Sequence, residues 1–78
     1  MKPKTEQLVI TFHTTADAMA LEAACQRRSA PGRMIPVPRS VSAGCGMAWR
    51  ADVTDYEALS RLIQEEGIEI QEIHTCLL

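Results

Sequence analysis

The sequence has few of the features that mark proteins that bind nucleic acids. Its 78 residues include one Phe, one Tyr and one Trp, too few for a sheet surface on which several bases stack. The formal net charge is −2, so no basic field attracts a phosphate backbone or an anionic membrane surface. These two shortages argue independently against nucleic acid as a partner.

Long apolar runs and paired cysteines are also missing. The first apolar run is interrupted by Thr11 and His13, far short of the ~20 residues that span a bilayer, and the start of the chain does not resemble a signal peptide. The three cysteines are odd in number and widely spaced, which suits a reducing compartment and argues against a disulfide framework. We therefore expect a cytoplasmic protein with no membrane partner.

What the sequence does contain is typical of one small globular domain. Apolar residues make up 46 % of the chain and charged residues 23 %, which is enough to form a packed core. A chain of this length accommodates one domain, residues 1–78, whose core is small. Either a monomer or a homodimer is compatible with so small a core.

The first half of the chain predicts a strand followed by a helix. Residues 7–12 are β-branched and apolar, which indicates a buried strand that ends at His13. Thr14, with Asp17 three positions later, is typical of a helix N-cap, and the helix is expected over residues 15–29. The inward stripe of this helix comprises Ala18, Leu21 and Cys25.

A long connection separates the next two predicted strands. Residues 34–37 form a short strand, expected at an edge of the sheet because Pro36 cannot donate to a ladder. Residues 38–46 have no periodicity and are longer than the ~2–5 residues of a common hairpin loop, which is typical of functional loops. Residues 47–53 are expected to form the third strand.

The last third predicts a second helix and a fourth strand. Thr54 and Glu57 form a capping-box pattern, and Gly67 supplies a left-handed stop. The expected apolar stripe comprises Tyr56, Leu59, Leu62 and Ile63. Ile68, Ile70 and Ile73 then indicate a strand with a bulge or an early end near Glu72.

This element order, βαββαβ, predicts an α+β fold of the ferredoxin-like type, with two helices on one face of a four-stranded antiparallel sheet. In that topology the end of the first strand and the connection between strands two and three lie at the same edge. His13, Thr14, Arg39 and Cys45 are therefore expected to share an edge, away from Cys25 and Cys76.

Cys45 is the strongest candidate for chemistry because glycines flank it in the long connection. Gly44 and Gly46 allow the backbone to turn and let another group approach the thiol. Backbone N–H groups of such a turn, Arg39 and the nearby start of the first helix would favour a nucleophilic thiolate. The alternative, which the residues alone leave open, is that Cys45 is a small packed residue in a glycine turn.

The other polar residues give weaker signals. His13 is a candidate proton acceptor for Cys45, although a histidine beside a helix start is also ordinary. His74 and Cys76 could form half of a zinc site, but nothing in the sequence completes it, so no metal is expected. No glycine-rich phosphate motif follows the first strand, so no nucleotide cofactor is expected.

Two stretches together resemble the family of short bacterial selenium/sulfur carrier-protein-like chains. These are residues 10–15, Ile-Thr-Phe-His-Thr-Thr, and residues 35–48, in which Pro-Val-Pro-Arg precedes a run of small residues and Cys-Gly. The resemblance covers nearly the whole chain. Gly44 stands where another small polar residue, often serine, is usual in the family.

The resemblance implies a non-enzymatic carrier that accepts sulfur or selenium on Cys45 as a persulfide-like adduct. Its partners would be a donor protein and an acceptor protein. The residues expected to hold the loop or bind an oxyanion around Cys45 are Thr14, Pro38, Arg39, Ser40, Ser42, Gly44 and Gly46. Two other functions stay open: a small-molecule-sensing or protein-interaction module, and a metal chaperone using Cys45 with His13.

Overall fold

The computed structural model describes residues 4–41 and 45–78. Within these ranges the elements are β1 (Glu6–Thr11), α1 (Thr15–Arg27), β2 (Arg33–Pro36), β3 (Met47–Asp52), a short 3₁₀ turn (Val53–Asp55), α2 (Tyr56–Glu66) and β4 (Glu72–Leu77). The strands form one antiparallel sheet in the order β2-β3-β1-β4. The predicted ferredoxin-like α+β fold is confirmed.

Both helices pack on one face of this sheet. Alternate residues of β1 and β3, such as Leu8, Ile10 and Trp49, belong to one buried cluster with residues of the two helices. The helical members of that cluster are Ala18, Leu21, Ala24, Cys25, Leu59, Leu62 and Ile63. The opposite face of the sheet carries no helix and is called the open face below.

The open face is not uniformly exposed. Val9, Thr11 and Ala48 are fully buried although they alternate with the residues that face the helices. Val41, in the connection between β2 and β3, is 8 % exposed and is likewise outside the helix-side cluster. The small protein thus has buried residues on both sides of its two central strands.

The start of α1 follows the predicted cap. The Thr14 hydroxyl accepts a hydrogen bond from the Asp17 N–H at 3.1 Å and donates one to Asp17 Oδ2 at 2.8 Å. The helix ends at Arg27 and is two residues shorter than expected, since Ser29 adopts a left-handed conformation with φ 53°. Arg27 and Arg28 then form ion pairs with Glu65 and Glu66 at the end of α2. The hydrogen bond to Glu65 raises the pKa of Arg28.

The start of α2 differs from the predicted capping box. Asp52 accepts hydrogen bonds from the Thr54 N–H at 3.1 Å and the Thr54 hydroxyl at 3.2 Å, and this contact initiates the 3₁₀ turn. Thr54 therefore does not cap α2, which begins two residues later at Tyr56. Tyr56 was also assigned wrongly to the apolar stripe, since it is 49 % exposed at the first position of the helix. Gly67 ends α2 with φ 67°, as predicted.

The fourth strand begins later than the isoleucine pattern suggests. β4 starts at Glu72, and its pairing with β1 runs without interruption from Thr11 opposite Glu72 to Glu6 opposite Leu77. Ile68 and Ile70 pack against the helix-side cluster from the connection that precedes the strand. The predicted bulge was therefore wrong. The isoleucines shift from even to odd positions because Ile68 and Ile70 belong to the packed connection and Ile73 belongs to the strand.

β2 and β4 are the edge strands of the sheet, which confirms the assignment of the proline-bearing strand to an edge. No helix in the described ranges is long and apolar enough to cross a bilayer.

Candidate functional site

Cys45 lies two residues before β3 and packs against the helix-side core. It is half-buried, and its thiol donates a hydrogen bond to the carbonyl oxygen of Met47, with Sγ and O 3.5 Å apart. The thiol proton is used by this contact, since a thiol has one proton to donate. In this structure Cys45 is therefore a half-buried, hydrogen-bonded thiol.

The backbone around Cys45 is held at both ends of the β2–β3 connection. The Val37 N–H donates to the Gly46 carbonyl at 3.0 Å, which closes the connection beside the end of β2. Gly46 has φ 79°, a left-handed conformation that disfavours other residues, and a Cβ at this position would have nothing within 4 Å. Glycine is therefore favoured at position 46 because of the backbone conformation, and not because neighbouring atoms leave no room for a side chain.

The register places the predicted residues at one edge of the sheet. Thr11, the last residue of β1, lies opposite Ala48 of β3 and Glu72 of β4, and Pro36 lies opposite Met47. His13, two residues after β1, and Cys45, two residues before β3, therefore belong to the same edge. His13 is exposed, and no hydrogen bond joins its imidazole to Cys45 in the part of the chain that the structure describes.

Thr14 lies at this edge, but its hydroxyl is already used. Its donor proton goes to Asp17 Oδ2, and its oxygen accepts from the Asp17 N–H in the cap of α1. A hydroxyl has a single proton to donate, so an oxyanion at this edge would compete with the cap for it.

Pro38, Arg39 and Ser40 form the turn that leaves β2. The Val41 N–H donates to the Pro38 carbonyl at 3.0 Å, so Arg39 and Ser40 occupy the two central positions of a four-residue turn and are exposed. No ion pair of Arg39 occurs within residues 4–41 and 45–78. Ser42 and Gly44, which sequence analysis also placed in the site, lie outside the described residues.

The other two cysteines are separated from Cys45. Cys25 is 2 % exposed within the helix-side core, and burial raises the pKa of its thiol while the nearby Arg28 lowers it to a smaller extent. Cys76 lies opposite Gln7, which in turn lies opposite Asp52 at the far end of β3. From Met47 to Asp52 the strand extends about 17 Å at ~3.3 Å per residue, so Cys76 is far from Cys45. Cys25 lines a cavity with Met34 and Trp49, and Trp49 lies four residues beyond Cys45 along β3.

His74 and Cys76 share the open face, as their spacing predicts. Both belong to the edge strand β4, and His74 lies midway along it, opposite Val9 of β1. Its Nε2 is 3.1 Å from Glu72 Oε2, in a position that does not meet hydrogen-bond geometry, and is buried. Within the described ranges no three His, Cys, Asp or Glu residues form a group that could hold a metal ion.

Sequence reasoning missed the contacts that surround Trp49. Its indole Nε1–H donates to the Pro31 carbonyl at 3.2 Å, and Gly32, with φ 114°, brings its backbone against the ring. The Pro31-Gly32 pair is the sequence signal for a turn at this position. The alternation Cys45, Met47, Trp49, Ala51 was also available and indicates that Cys45 faces the helices.

These observations define a class: a small α+β protein with one half-buried cysteine before a central strand and no thiol close to it. The sequence model of the family described as "Putative Se/S carrier protein-like" matches residues 7–75, and the chain belongs to that family. The matched range covers both helices and all four strands except the first residue of β1 and the last two residues of β4, which confirms the resemblance found in the sequence. No curated protein and no solved structure matches the chain significantly.

Proposed function

We propose that the protein is a non-enzymatic carrier that accepts sulfur or selenium on Cys45 and passes it to an acceptor protein. The observation that supports this most is the isolation of Cys45. Cys25 is buried under α1, and Cys76 lies on the other face and at the other end of the sheet. A persulfide with no neighbouring thiol cannot be resolved within the same chain to a disulfide, so the carried atom survives until an acceptor arrives.

The transfer step needs no external oxidant or reductant. The Cys45 thiolate attacks the terminal sulfur of a donor cysteine persulfide, and a new S–S bond forms while the donor's S–S bond breaks. The donor sulfur leaves as a thiolate and takes up a proton. Delivery is the same exchange with the acceptor thiolate as nucleophile, and selenium replaces the terminal sulfur in the selenium version.

Activation of Cys45 requires the loss of its bond to Met47. Once the thiol proton is removed, the sulfur and the carbonyl oxygen, 3.5 Å apart, both carry negative charge or partial charge and repel each other. We assign His13 as the proton acceptor, because it is exposed at the same edge and imidazole accepts protons near neutral pH. In this proposal Pro38, Arg39, Ser40, Gly46 and Thr14 bind the charged adduct; Ser42 and Gly44, expected from the sequence to share this role, lie outside the described residues.

The test is persulfide loading followed by mass spectrometry of the intact chain. Glutathione persulfide is the donor, and the native chain is expected to gain the mass of one sulfur atom. Cys45→Ser is expected to abolish the gain, whereas Cys76→Ser, which removes the other half-exposed thiol, is expected to retain it. Loading that depends on Cys76, or no loading of the native chain, would refute the proposal.

A second experiment tests the role of His13. His13→Gln is expected to slow alkylation of Cys45 by iodoacetamide at neutral pH, in a background in which Cys25 and Cys76 are alanine. Alkylation at high pH, where hydroxide removes the proton, is expected to be unchanged. Equal rates at both pH values for native and variant chains would remove His13 from the site.

An interaction module is the second candidate, and the hydrogen-bonded, half-buried state of Cys45 favours it. In that case Cys45 packs and the edge strands bind a partner. The alkylation rate of Cys45 would then not exceed that of a free thiol, and Cys45→Ala would leave partner binding intact.

A further inference from the structure

Two arginines lie directly opposite each other on β2 and β3, and Arg50 is five residues beyond Cys45 along the chain. Arg33 of β2 pairs in register with Arg50 of β3, so both side chains extend from the open face. Neither forms an ion pair with any other residue of the described ranges. Like charges at directly opposed positions destabilise a sheet, so this pair is an unfavourable arrangement that a bound anion would relieve.

Two carboxylates with unused hydrogen-bonding capacity lie beside the arginines. Asp55 is the N-cap residue of α2, yet its side chain makes no capping hydrogen bond. An aspartate in this position ordinarily stabilises its helix by such a bond. Asp52 accepts both bonds from Thr54 through Oδ1, which leaves Oδ2 available to another donor.

These four charged residues line one shallow cavity of about 300 Å³ that is open to solvent, and Gln7 lines it as well. That volume is at the small end of ligand pockets, which suits a ligand of few heavy atoms. Pro31 lines it too, and its carbonyl accepts a hydrogen bond from the Trp49 indole N–H at 3.2 Å, which anchors this wall to the core.

The charges of the cavity select for a particular chemistry. Arg33 and Arg50 would bind a carboxylate in a forked geometry, but a simple anion such as phosphate would also meet the negative charges of Asp52 and Asp55. A simple amine would be attracted by Asp52 and Asp55 but repelled by the two arginines. We propose that the cavity binds a small zwitterion of the α-amino-acid type, with its carboxylate on the arginine pair and its ammonium group on Asp55 and Asp52.

This site is distinct from Cys45, because Cys45 packs on the helix side of the sheet and the two arginines extend from the open face. It is tested by titrating the isotope-labelled chain with L-serine, a small amino acid without a reactive side chain, and following backbone amide and indole N–H signals. Saturable shifts are expected at Gly32, Arg50 and the Trp49 indole. Lactate, ethanolamine and inorganic phosphate, each of which lacks one of the two required features, are expected to bind at least about tenfold more weakly.

Charge-removing variants distinguish this site from nonspecific binding. Arg33→Gln and Arg50→Gln are each expected to weaken serine binding at least about tenfold, since each removes charge-assisted hydrogen bonds, whereas Arg61→Gln on the exposed face of α2 is the matched control. Asp55→Asn is expected to weaken serine binding and to strengthen lactate binding. Arg33 is exposed, so its variant is expected to fold even if Arg50→Gln does not.

Three results would overturn the proposal. They are the absence of saturable shifts with serine at millimolar concentrations, phosphate binding as tight as serine binding, and serine binding that survives Arg33→Gln in a folded chain. The phosphate result would identify a simple anion site.

Discussion

Replacing Gly32 by alanine is expected to destabilise the protein strongly, for two separable reasons. The backbone at Gly32 has φ 114°, and a Cβ there would lie 2.2 Å from Trp49 Nε1 and 2.7 Å from the Arg50 carbonyl oxygen. A positive φ costs an L-residue about 1–2 kcal/mol. Forcing an extra carbon into a packed site costs about 1–3 kcal/mol more.

Trp49 cannot move away without further loss. It is 3 % exposed, and its indole N–H is bonded to the Pro31 carbonyl immediately before the glycine. A shift of the ring breaks that hydrogen bond, at a cost of about 0.5–1.5 kcal/mol. The expected total for Gly32→Ala is therefore about 2.5–6.5 kcal/mol, a large part of the total stability of a domain of this size.

Urea denaturation measures this loss. Far-UV circular dichroism is the main probe, because the substitution itself changes the environment of Trp49, the protein's one tryptophan. The control is Gly67→Ala: Gly67 also has a positive φ, of 67°, but a Cβ there would meet nothing within 4 Å. Backbone strain alone then predicts a loss of about 1 kcal/mol. Equal losses for the two variants would refute the close contact between Gly32 and Trp49.

Two further expectations concern a helix cap and a buried thiol. Thr14→Ala should lower the free energy of unfolding by about 1 kcal/mol, because it removes the bond from the Asp17 N–H; Thr54→Ala should cost less, and the reverse order in urea denaturation would contradict the assigned caps. Burial raises the pKa of Cys25, so the unfolded chain loses this proton at lower pH than the folded chain does, and stability should fall as the pH rises above about 8.5. Cys25→Ala should reduce this fall in denaturation curves across that pH range, and an unchanged slope would contradict the assignment.

The fold could be predicted from the sequence because each helix and strand has a local pattern that agrees with the whole. The β-branched run of β1, the Thr14–Asp17 cap and the Gly67 stop each correspond to an observed boundary. The errors occur where two residues compete for one role. Asp52, at the end of β3, caps the 3₁₀ turn by accepting a hydrogen bond from the Thr54 N–H, so Thr54 is not the cap of α2. Sequence spacing alone does not decide which of the two residues acts as a cap.

The candidate site was predictable only in part, for a related reason. Element order was enough to place His13 and Cys45 at one edge, because antiparallel register fixes which strand ends meet. The contact between the Cys45 thiol and the Met47 carbonyl depends on a side-chain rotamer, and the cavity at Arg33 and Arg50 depends on cross-strand register. Neither the side-chain rotamer nor the exact pairing of β2 with β3 can be predicted from the residue pattern alone.

The anchoring of Gly46 restricts how Cys45 can change between a protected and a reactive state. The Val37 N–H holds the Gly46 carbonyl, and β3 begins at Met47, so the backbone immediately after Cys45 is fixed from both sides. The sulfur can therefore leave the Met47 carbonyl by rotation about its own Cα–Cβ bond, a motion that is fast for a half-exposed side chain. If Cys45 carries sulfur, its own sulfur no longer bears a proton, so it can no longer donate to the Met47 carbonyl. Loading would then release Cys45 Sγ from this hydrogen bond.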